Sequence, residues 1–255
     1  MKSLSLQNRC DLYAEAFPWP PPRTNCEETV WLDGNRWLSG MWVLGHDYRG
    51  TGYYGSYPPN FLKRIHALFP DAKRVLHLFS GSLPAGEYVR FECNPHADVV
   101  GDAHELSKHF KPEEFDLILA DPPYSAEDAH HYGTSMINRN RVLSECAKVL
   151  EPGGFIVWLD QVLPMFCKDR LHLCGAIGVV RSTNHRFRVA AIFRKLASDS
   201  HKPGGVSRSV RPNPPSATHT PKVAAKRKSA RLSFTSRQTY PERRVANPRC
   251  PIVVP

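Results

Sequence analysis

Long apolar runs are missing from this chain. No stretch of its 255 residues approaches the roughly 18 consecutive apolar residues that would cross a bilayer. The opening sequence MKSLSLQNRCDLY also lacks the apolar segment of a secretory signal. We therefore expect a cytoplasmic protein with no membrane partner. Its hydrophobic content of 41% is enough for one sizeable core, with length left for a tail.

Cysteines are few, and they show no pairing pattern. The chain has seven of them, an odd number, and no C-x-x-C pair. This disfavours a disulfide framework and a thiolate zinc site, and it favours a reducing compartment. We expect no metal, and we interpret Cys93, Cys146, Cys167 and Cys174 as small apolar core residues.

Acidic residues are scarce at the C-terminal end. Residues 198–255 hold 12 Lys and Arg against 2 Asp and Glu, an excess of ten that equals the net charge of the whole chain, +10. Residues 1–197 are therefore neutral overall. The C-terminal segment is rich in Pro, Ser and Thr without any apolar period, which predicts a disordered basic tail. Its cluster Lys226, Arg227, Lys228 and Arg231 favours a nucleic-acid tether, and a merely solubilising tail is the alternative.

A phosphate-binding loop of the GxxxxGK[ST] type is also absent. One GxGxxG does occur, as GTGYYG at 50–55, but it leads into SYPP rather than into a helix. It therefore lacks the strand–turn–helix context of a dinucleotide site, and we interpret it as a loop near the pocket.

Short apolar runs alternate with helical patterns over the middle of the chain. Strands are predicted at 74–79, 87–92, 98–102, 115–120, 154–159, 173–181 and 186–195. Helices are predicted at 58–70, 103–110, 139–150 and 163–170. This alternation predicts an α/β fold with a mostly parallel, seven-stranded sheet, and the short STNH link makes its last two strands an antiparallel hairpin. The first two connections between strands are too short for ordinary crossover helices, so we expect reduced helices there.

Three domains or regions follow from these patterns. We expect an irregular N-terminal region over 1–57 that packs on the core, a folded domain over 58–197 and the basic tail over 198–255.

Polar residues and a glycine follow the ends of successive predicted strands. Gly81 in LFSGS lets the backbone approach a ligand closely, and Glu92 can accept hydrogen bonds from both hydroxyls of a ribose. Asp102 and Asp121 end the next two strands. Ligands of open α/β sheets bind outside the carboxyl ends of the strands. The pattern therefore predicts a pocket for a nucleoside without a phosphate group.

The segment FDLILADPPY at 115–124 combines a buried strand with an acid, two prolines and an aromatic ring. An exocyclic amine of a base is a poor nucleophile unless acceptors take up its hydrogens. Asp121 and the carbonyl of Pro122 can do so, because consecutive prolines fix φ and remove donors. Tyr124 offers a face for a flipped base, worth about 1–3 kcal/mol. The alternative is a rigid turn after a strand.

The segments LFSGS, FECNP, GDA and ADPPY together resemble the motif series of class I S-adenosylmethionine-dependent methyltransferases, over about residues 58–196. DPPY resembles the branch that methylates amino groups in nucleic acids, especially N6 of adenine in DNA. The resemblance implies a Rossmann-like sheet and S-adenosylmethionine as cofactor. It implies cofactor-binding residues Phe79, Ser80, Gly81, Ser82, Glu92, Asp102, Ala103 and Asp121, and catalytic residues Asp121, Pro122, Pro123 and Tyr124.

The sequence departs from that family in two ways. Ser82 stands where the family usually has the last glycine of its turn, and the helix that normally follows is missing. A long target-recognition domain is also absent. The candidates for that role are the loop 125–141, the hairpin tip 182–186 and the tail. The loop contributes His130, His131, Tyr132, Arg139 and Arg141.

We therefore expect a bacterial or phage enzyme that methylates N6 of adenine in double-stranded DNA after flipping the base. The alternatives are an RNA amino-methyltransferase and a DNA N4-cytosine methyltransferase. A third alternative is a nucleic-acid-binding protein with a decayed methyltransferase fold, whose signature would be loss of Asp121 or Glu92. Both residues are present.

Overall fold

The computed structural model describes part of the chain, and all of this part belongs to one unit, Met1–Pro203. The described ranges are 4–17, 30–34, 36–44, 57–93, 95–181 and 187–197. The GTGYYG segment, the hairpin tip 182–186 and the basic tail lie outside the described residues.

Nine strands of the described part form a single sheet. In chain order they are β1 (Val30–Asp33), β2 (Trp37–Leu44), β3 (Val75–Leu78), β4 (Val89–Glu92), β5 (Val99–Val100), β6 (Phe115–Ala120), β7 (Leu150–Asp160), β8 (Leu171–Arg181) and β9 (Phe187–Lys195). Their order across the sheet is β1-β2-β8-β9-β7-β6-β3-β4-β5.

Most neighbouring strands run parallel. The pairs β2–β8, β3–β4, β3–β6, β4–β5 and β6–β7 are parallel. Strand β9 lies between β7 and β8 and is antiparallel to both, and β1 is antiparallel to β2. The prediction of an α/β fold with a mostly parallel sheet and a terminal antiparallel hairpin is confirmed. Among the described residues, no helix separates β3 from β4 or β4 from β5, which agrees with the reduced helices expected there.

The sheet has two strands more than the seven predicted, because the region 1–57 is not irregular throughout. It supplies a helix and the strands β1 and β2. In β2, the side chains of Leu38, Trp42 and Leu44 are buried while Met41 is exposed, so the strand presents one face to the core. Its neighbour β8 lies far along the chain, and nothing local in the sequence shows that pairing.

Four α-helices and one 3-10 helix flank this sheet in the described residues. They are α1 (Leu6–Ala16), α2 (Phe61–Leu68), the 3-10 helix (Ala103–Lys108), α3 (Ala126–His131) and α4 (Arg139–Val149). Helix α2 buries Phe61, Ile65 and Leu68 at helical spacing. Helix α4 is capped by Asn138, whose side chain accepts a hydrogen bond from the backbone N of Arg141 at 3.1 Å.

Two predicted helices differ from the structure. The segment predicted as a helix at 103–110 is the shorter 3-10 helix, because Glu105 has a non-helical φ of −134°. The helix predicted at 163–170 does not form. Pro164 supplies no backbone donor there, and the backbone N of Met165 donates to the side chain of Asn140 at 3.0 Å instead.

The sheet separates two apolar cores. Leu106 of the 3-10 helix and Val142 of α4 pack on one face, together with Ile118 of β6. Helices α1 and α2 pack on the other face, which includes Leu117 and Leu119. The alternation along β6 therefore buries both faces, as expected for a central parallel strand.

The cysteine prediction was correct for two residues only. Cys146 and Cys174 are buried, whereas Cys93 and Cys167 are exposed. No helix of the described part is long and apolar enough to span a membrane.

Candidate functional site

Four neighbouring parallel strands end at the same edge of the sheet, and the predicted site residues follow those ends. In sheet order, β5, β4, β3 and β6 lead to Asp102, Glu92, the turn 79–82 and Asp121. Since ligands of open α/β sheets bind outside the carboxyl ends of the strands, this edge is the candidate site.

The turn after β3 uses left-handed backbone at two positions. Phe79 has φ 58° and Gly81 has φ 53°. The turn closes with a hydrogen bond from the Leu83 backbone N to the Ser80 carbonyl at 3.0 Å. A second bond, from the Phe79 backbone N to the Phe91 carbonyl at 3.0 Å, attaches the turn to β4. Glycine adopts this conformation without a steric penalty, which is the physical reason for Gly81 at this position.

Glu92 reaches back to this turn. The Gly81 backbone N donates to its Oε2 at 3.4 Å, and the Cys93 backbone N donates to its Oε1 at 3.1 Å. Each carboxylate oxygen has two lone pairs, so Glu92 retains acceptor capacity for a ligand. Ser80 is buried and Ser82 is half-buried in the same turn. The structure thus brings Glu92 and the predicted turn residues together.

Asp102 is bonded to His104 rather than to that pair. Its Oδ1 accepts a hydrogen bond from the His104 backbone N at 2.9 Å and lies 2.6 Å from Nδ1 of the same residue. The pKa of Asp102 is lowered: burial raises it, but the hydrogen bonds from His104 outweigh that effect. The backbone N of Asn138 donates to His104 Nε2 at 2.8 Å, so the ring proton of the neutral imidazole lies on Nδ1, facing Asp102. The neighbouring Ala103 is buried.

The DPPY segment lies directly after β6. Pro122 and Pro123 are buried, and Asp121 and Tyr124 are partly exposed. The Tyr124 hydroxyl donates to Oδ1 of Asp121. The Arg188 guanidinium lies over the Tyr124 ring, with its carbon 5.5 Å from the ring centroid. The ring was predicted to offer a stacking face, and this contact occupies one side of it.

Two acceptors of this segment remain available. Within the described residues, Oδ2 of Asp121 and the carbonyl oxygen of Pro122 accept no hydrogen bond. Both follow a central strand, and the prolines restrict the backbone between them. The segment can therefore receive the two hydrogens of a planar amine.

The pKa of Asp121 is raised to about 7. Burial is the largest cause, and the negative charge of Asp160 adds to it. The positive charge of Arg188 and the hydrogen bond from Tyr124 act in the opposite direction. Asp121 is therefore a carboxyl group that changes its charge near neutral pH.

An ion pair that the sequence analysis did not identify borders Asp121. Asp160, the last residue of β7, is buried, and Arg139 donates from Nε to its Oδ2 at 2.6 Å. Arg139 also donates to the Tyr124 carbonyl at 3.2 Å, and Trp158 donates to Asp160 at 3.2 Å. The sequence could have identified Asp160 as a candidate site residue, because it directly follows the apolar run GFIVWL, just as Asp121 directly follows its own strand.

Arg188 of β9 was also missed. Its side chain is buried, and its Nη1 donates to the Tyr124 hydroxyl at 3.0 Å. In the alternating pattern of β9 it shares a face with the buried Ala190 and Ile192. An arginine at a buried position of a strand is unusual. Its place in the alternating pattern was therefore the feature of the sequence that could have identified Arg188.

Tyr57 and His77 lie beneath the same edge. The Tyr57 hydroxyl is 3.2 Å from His77 Nδ1. The pKa of Tyr57 is raised well above its usual value by burial and by the charges of Asp121 and Glu92, so both acids lie near it. Burial lowers the pKa of His77 to about 4, with a smaller contribution from His66. His77 is therefore neutral at physiological pH.

The segment 125–141, predicted as a recognition loop, contains the short helix α3. Its residues His130, His131 and Tyr132 are exposed, whereas Arg139 contacts the site and Arg141 donates to the His104 carbonyl at 3.2 Å. In the described residues, no three His, Cys, Asp or Glu side chains are grouped as metal ligands would be.

No protein-family model matches the chain. A stretch of 56 residues is 38% identical to uncharacterized protein MJ1233 of Methanocaldococcus jannaschii, which corresponds to 22% of this chain and 17% of that protein.

Two solved structures are similar over about half of the chain. A structure concerned with conversion of a disulfide bond into a thioacetal group during echinomycin biosynthesis matches with 13% identity and a TM-score of 0.30, over 50% of this chain and 77% of the other. The CurJ carbon methyltransferase matches with 10% identity and a TM-score of 0.32, over 54% of each chain. Similarity at these TM-scores does not indicate an activity for this chain.

Proposed function

We propose that this protein transfers a methyl group from S-adenosylmethionine to the N6 amine of adenine in double-stranded DNA, with the target base flipped out of the helix. One observation carries this proposal. The Asp121 carboxylate has one oxygen held by Tyr124 and the other unpaired within the described residues, at a strand end beside the Glu92–Gly81 pair.

The donor set at the sheet edge fits the proposed cofactor. Glu92 supplies a carboxylate with spare acceptor capacity for ribose hydroxyls, and it lies against Gly81, which has no side chain to obstruct a ligand. Ser80 and Ser82 supply further polar groups in the same turn, and Asp102 would contact the adenine edge. When bound, S-adenosylmethionine supplies an electrophilic methyl group on a sulfonium.

Asp121 and Pro122 would prepare the amine. The lone pair of an exocyclic amine is delocalised into the ring, and hydrogen bonds from both N–H groups to fixed acceptors favour a tetrahedral nitrogen. Oδ2 of Asp121 would accept one hydrogen and the Pro122 carbonyl the other. The prolines hold these acceptors in place without competing donors, so little reorganisation is needed at the moment of reaction.

Asp121 would also receive the surplus proton. Formation of the new N–C bond, with loss of the methyl–sulfur bond of the sulfonium and its electron pair to the sulfur, would leave the nitrogen with one hydrogen too many and a positive charge. An ionised Asp121 can accept that proton, and its pKa of about 7 matches a group that takes up a proton and returns it to water at neutral pH.

Tyr124 would contact both Asp121 and the target nucleobase. Its hydroxyl is bonded to Asp121, and the ring side that Arg188 does not occupy would stack on the flipped base. The exposed residues of the segment 125–141 and the basic tail would contact the DNA backbone. RNA and the N4 amine of cytosine present the same planar amine, so the acceptor must be identified by experiment.

A methyl-transfer assay tests this proposal. The full chain, incubated with methyl-tritiated S-adenosylmethionine, should label unmethylated double-stranded DNA, and nucleoside mass spectrometry should find N6-methyladenine. Label in RNA alone would overturn the DNA assignment, and N4-methylcytosine would overturn the adenine assignment. If no nucleic acid is labelled and the cofactor does not bind, the result would favour a nucleic-acid-binding protein without activity.

A further inference from the structure

A chain of hydrogen bonds connects strand β9 to the acid of the DPPY segment. Arg188 donates from Nη1 to the Tyr124 hydroxyl at 3.0 Å, and the Tyr124 hydroxyl donates to Oδ1 of Asp121. The Arg188 side chain is only 6% exposed, so water does not substitute for this partner.

The direction of this chain follows from the chemistry of its members. A guanidinium has only donors, so the Tyr124 oxygen must accept from Arg188. A hydroxyl has one proton, and Tyr124 is therefore left to donate it to Asp121. The bond from Arg188 occupies an acceptor position of the Tyr124 oxygen and so orients the hydroxyl with its proton toward Asp121. Oδ1 of Asp121 is thus fixed, and Oδ2 has no hydrogen bond within the described residues.

Charged and titratable groups approach Asp121 from several elements. Asp160 comes from the end of β7 and is paired with Arg139 of α4 at 2.6 Å. Tyr57 lies before α2, and its hydroxyl is affected by the charges of both Asp121 and Glu92 of β4. These groups do not favour a negative charge on Asp121, since Arg139 is already committed to Asp160.

Arg188 is the cation that acts on Asp121 in the opposite sense. Its positive charge, together with the Tyr124 hydrogen bond, lowers the pKa of Asp121 against burial and the charge of Asp160. The remaining pKa, about 7, is still high for an aspartate. Without these two contributions the carboxyl group would be protonated at neutral pH.

We propose that Arg188 is a positioning residue for methyl transfer: through the Tyr124 hydroxyl it favours the ionised form of the Asp121 carboxylate and turns its second oxygen toward the substrate amine. This inference rests on the proposed function above. It assigns to β9 a role that the DPPY motif alone does not contain.

The test is the titration of the Asp121 carboxyl group itself. The full chain, labelled with 13C in the aspartate side chains, is titrated by NMR, and Asp121→Asn identifies the Asp121 signal. In Arg188→Met the titration midpoint should rise by about 1–3 pH units, the range by which a nearby opposite charge shifts a carboxyl group. Tyr124→Phe should raise the midpoint as well, and Arg188→Lys should raise it less than Arg188→Met.

Arg194 provides the matched control. It lies on the same strand, where it is exposed and donates to the Gly153 carbonyl at 3.4 Å. Arg194→Met therefore removes the same charge from β9 at a different place, and it should leave the Asp121 midpoint unchanged. Thermal unfolding shows whether each variant is folded. If Arg188→Met does not fold, Tyr124→Phe alone tests the hydrogen-bond chain from Arg188 through Tyr124 to Asp121.

Activity gives a second readout. The acid side of the pH–rate profile should move upward with the NMR midpoint, so that Arg188→Met recovers methyl transfer at higher pH. An Asp121 midpoint that stays in place in both Arg188→Met and Tyr124→Phe would overturn the inference even if the wild type is active. A midpoint of Asp121 that rises in these variants, in a protein that transfers no methyl group, would count against the proposed function. It would still support the effect of Arg188 on Asp121 through Tyr124.

Discussion

Asp121 lies in surroundings that oppose the charge that its proposed role requires. Burial raises the pKa of this carboxyl group to about 7, so near neutral pH it exists in both forms. Only the ionised form accepts a hydrogen bond at each oxygen, from Tyr124 at Oδ1 and from an amine at Oδ2. We therefore expect methyl transfer to fall as the pH decreases through about 7, because the acceptor becomes protonated.

Replacing Asp121 by Asn tests this requirement for an acid. The asparagine amide would keep an acceptor for the Tyr124 hydroxyl, but it cannot take up a proton. We expect the rate of methyl transfer to fall at least ~100-fold, the scale of general acid–base contributions, with an unchanged circular dichroism spectrum. Asp169→Asn, at an exposed position, serves as control and should retain full activity. Normal turnover in Asp121→Asn would show that the amine does not depend on this carboxylate.

The same substitution should stabilise the fold at alkaline pH. A carboxyl group with a raised folded pKa is most favourable below its unfolded pKa, near 3.9, and loses this contribution as the pH rises through about 7. Asparagine does not ionise, so Asp121→Asn avoids this decrease in the free energy of unfolding. At pH 8 we expect a gain of roughly 2 kcal/mol, less than the full shift implies because the side chain is partly exposed. At pH 4 the variant and the wild type should unfold at the same temperature, and a stabilisation that is equal at both pH values would contradict this electrostatic cause.

At the scale of elements, helix α1 is attached to the sheet by a buried arginine. Arg9 is 2% exposed and forms an ion pair with Asp71 at 2.6 Å. It also donates to the Leu68 carbonyl at 3.1 Å, and its guanidinium carbon lies 4.9 Å from the Phe69 ring centroid and 4.7 Å from that of Phe155. One side chain thus joins α1, the end of α2 and β7, and α1 is held to the core.

Replacing only one partner of this ion pair should destabilise the protein more than replacing both partners. Asp71→Asn removes the negative charge that lies 2.6 Å from a buried guanidinium, and we expect a loss of about 3 kcal/mol in urea unfolding at pH 7. The double variant Arg9→Met, Asp71→Asn replaces the pair by an apolar side chain and should recover most of that loss. A double variant as unstable as Asp71→Asn would mean that packing of Arg9, rather than its charge, holds α1.

The pH dependence of this attachment has a defined sign. Burial raises the pKa of Asp71, but the hydrogen bonds and charge of Arg9 outweigh it, so the folded pKa is lowered. The contribution of Asp71 is therefore complete above its unfolded pKa, near 3.9, and is lost as the pH falls through the folded value. The difference between wild type and Asp71→Asn should accordingly shrink in strongly acidic solution.

Elements with a local signal were predicted well from the sequence, and those defined by distant partners were not. Strand β6 was predicted with its observed bounds, because its apolar run is ended by an acid and two prolines. Strand β2 was missed, because its pairing with β8 joins residues far apart in the chain. The helix expected at 163–170 failed because Pro164 and the contact of Met165 with Asn140 oppose helix formation.

The candidate site divides in the same way. Glu92, Gly81 and Asp121 end strands that are neighbours in the sheet, and the sequence showed those strand ends. The alternation along β9 indicates that Arg188 is buried, but its contact with Tyr124 depends on the place of β9 between β7 and β8, which no local pattern reveals. The motif thus indicated Asp121 as the candidate acid, and only the tertiary fold shows which side chains contact its partner Tyr124.

For the whole molecule, charge is divided between the folded part and the tail. Residues 1–197 are neutral overall, and the basic excess of ten lies in residues 198–255. The candidate site itself is rich in acids, with Glu92, Asp102 and Asp121 at one edge of the sheet. These carboxylates repel the phosphates of DNA. A DNA substrate therefore needs cations from elsewhere, and the tail has the largest surplus of them.

Removing residues 198–255 tests the tail as a tether. Each phosphate contact contributes about −0.9 to the slope of log K against log salt concentration on duplex DNA. If the cluster Lys226, Arg227 and Lys228 contacts the backbone, truncation should weaken binding at low salt and make that slope less negative by about 3. Replacing the three residues by Gln in the full chain should reproduce most of this change, whereas the affinity for S-adenosylmethionine, which depends on the sheet edge, should stay the same. A salt slope that truncation leaves unchanged would place the phosphate contacts on the folded part, where the exposed residues of the segment 125–141 would be the next to substitute.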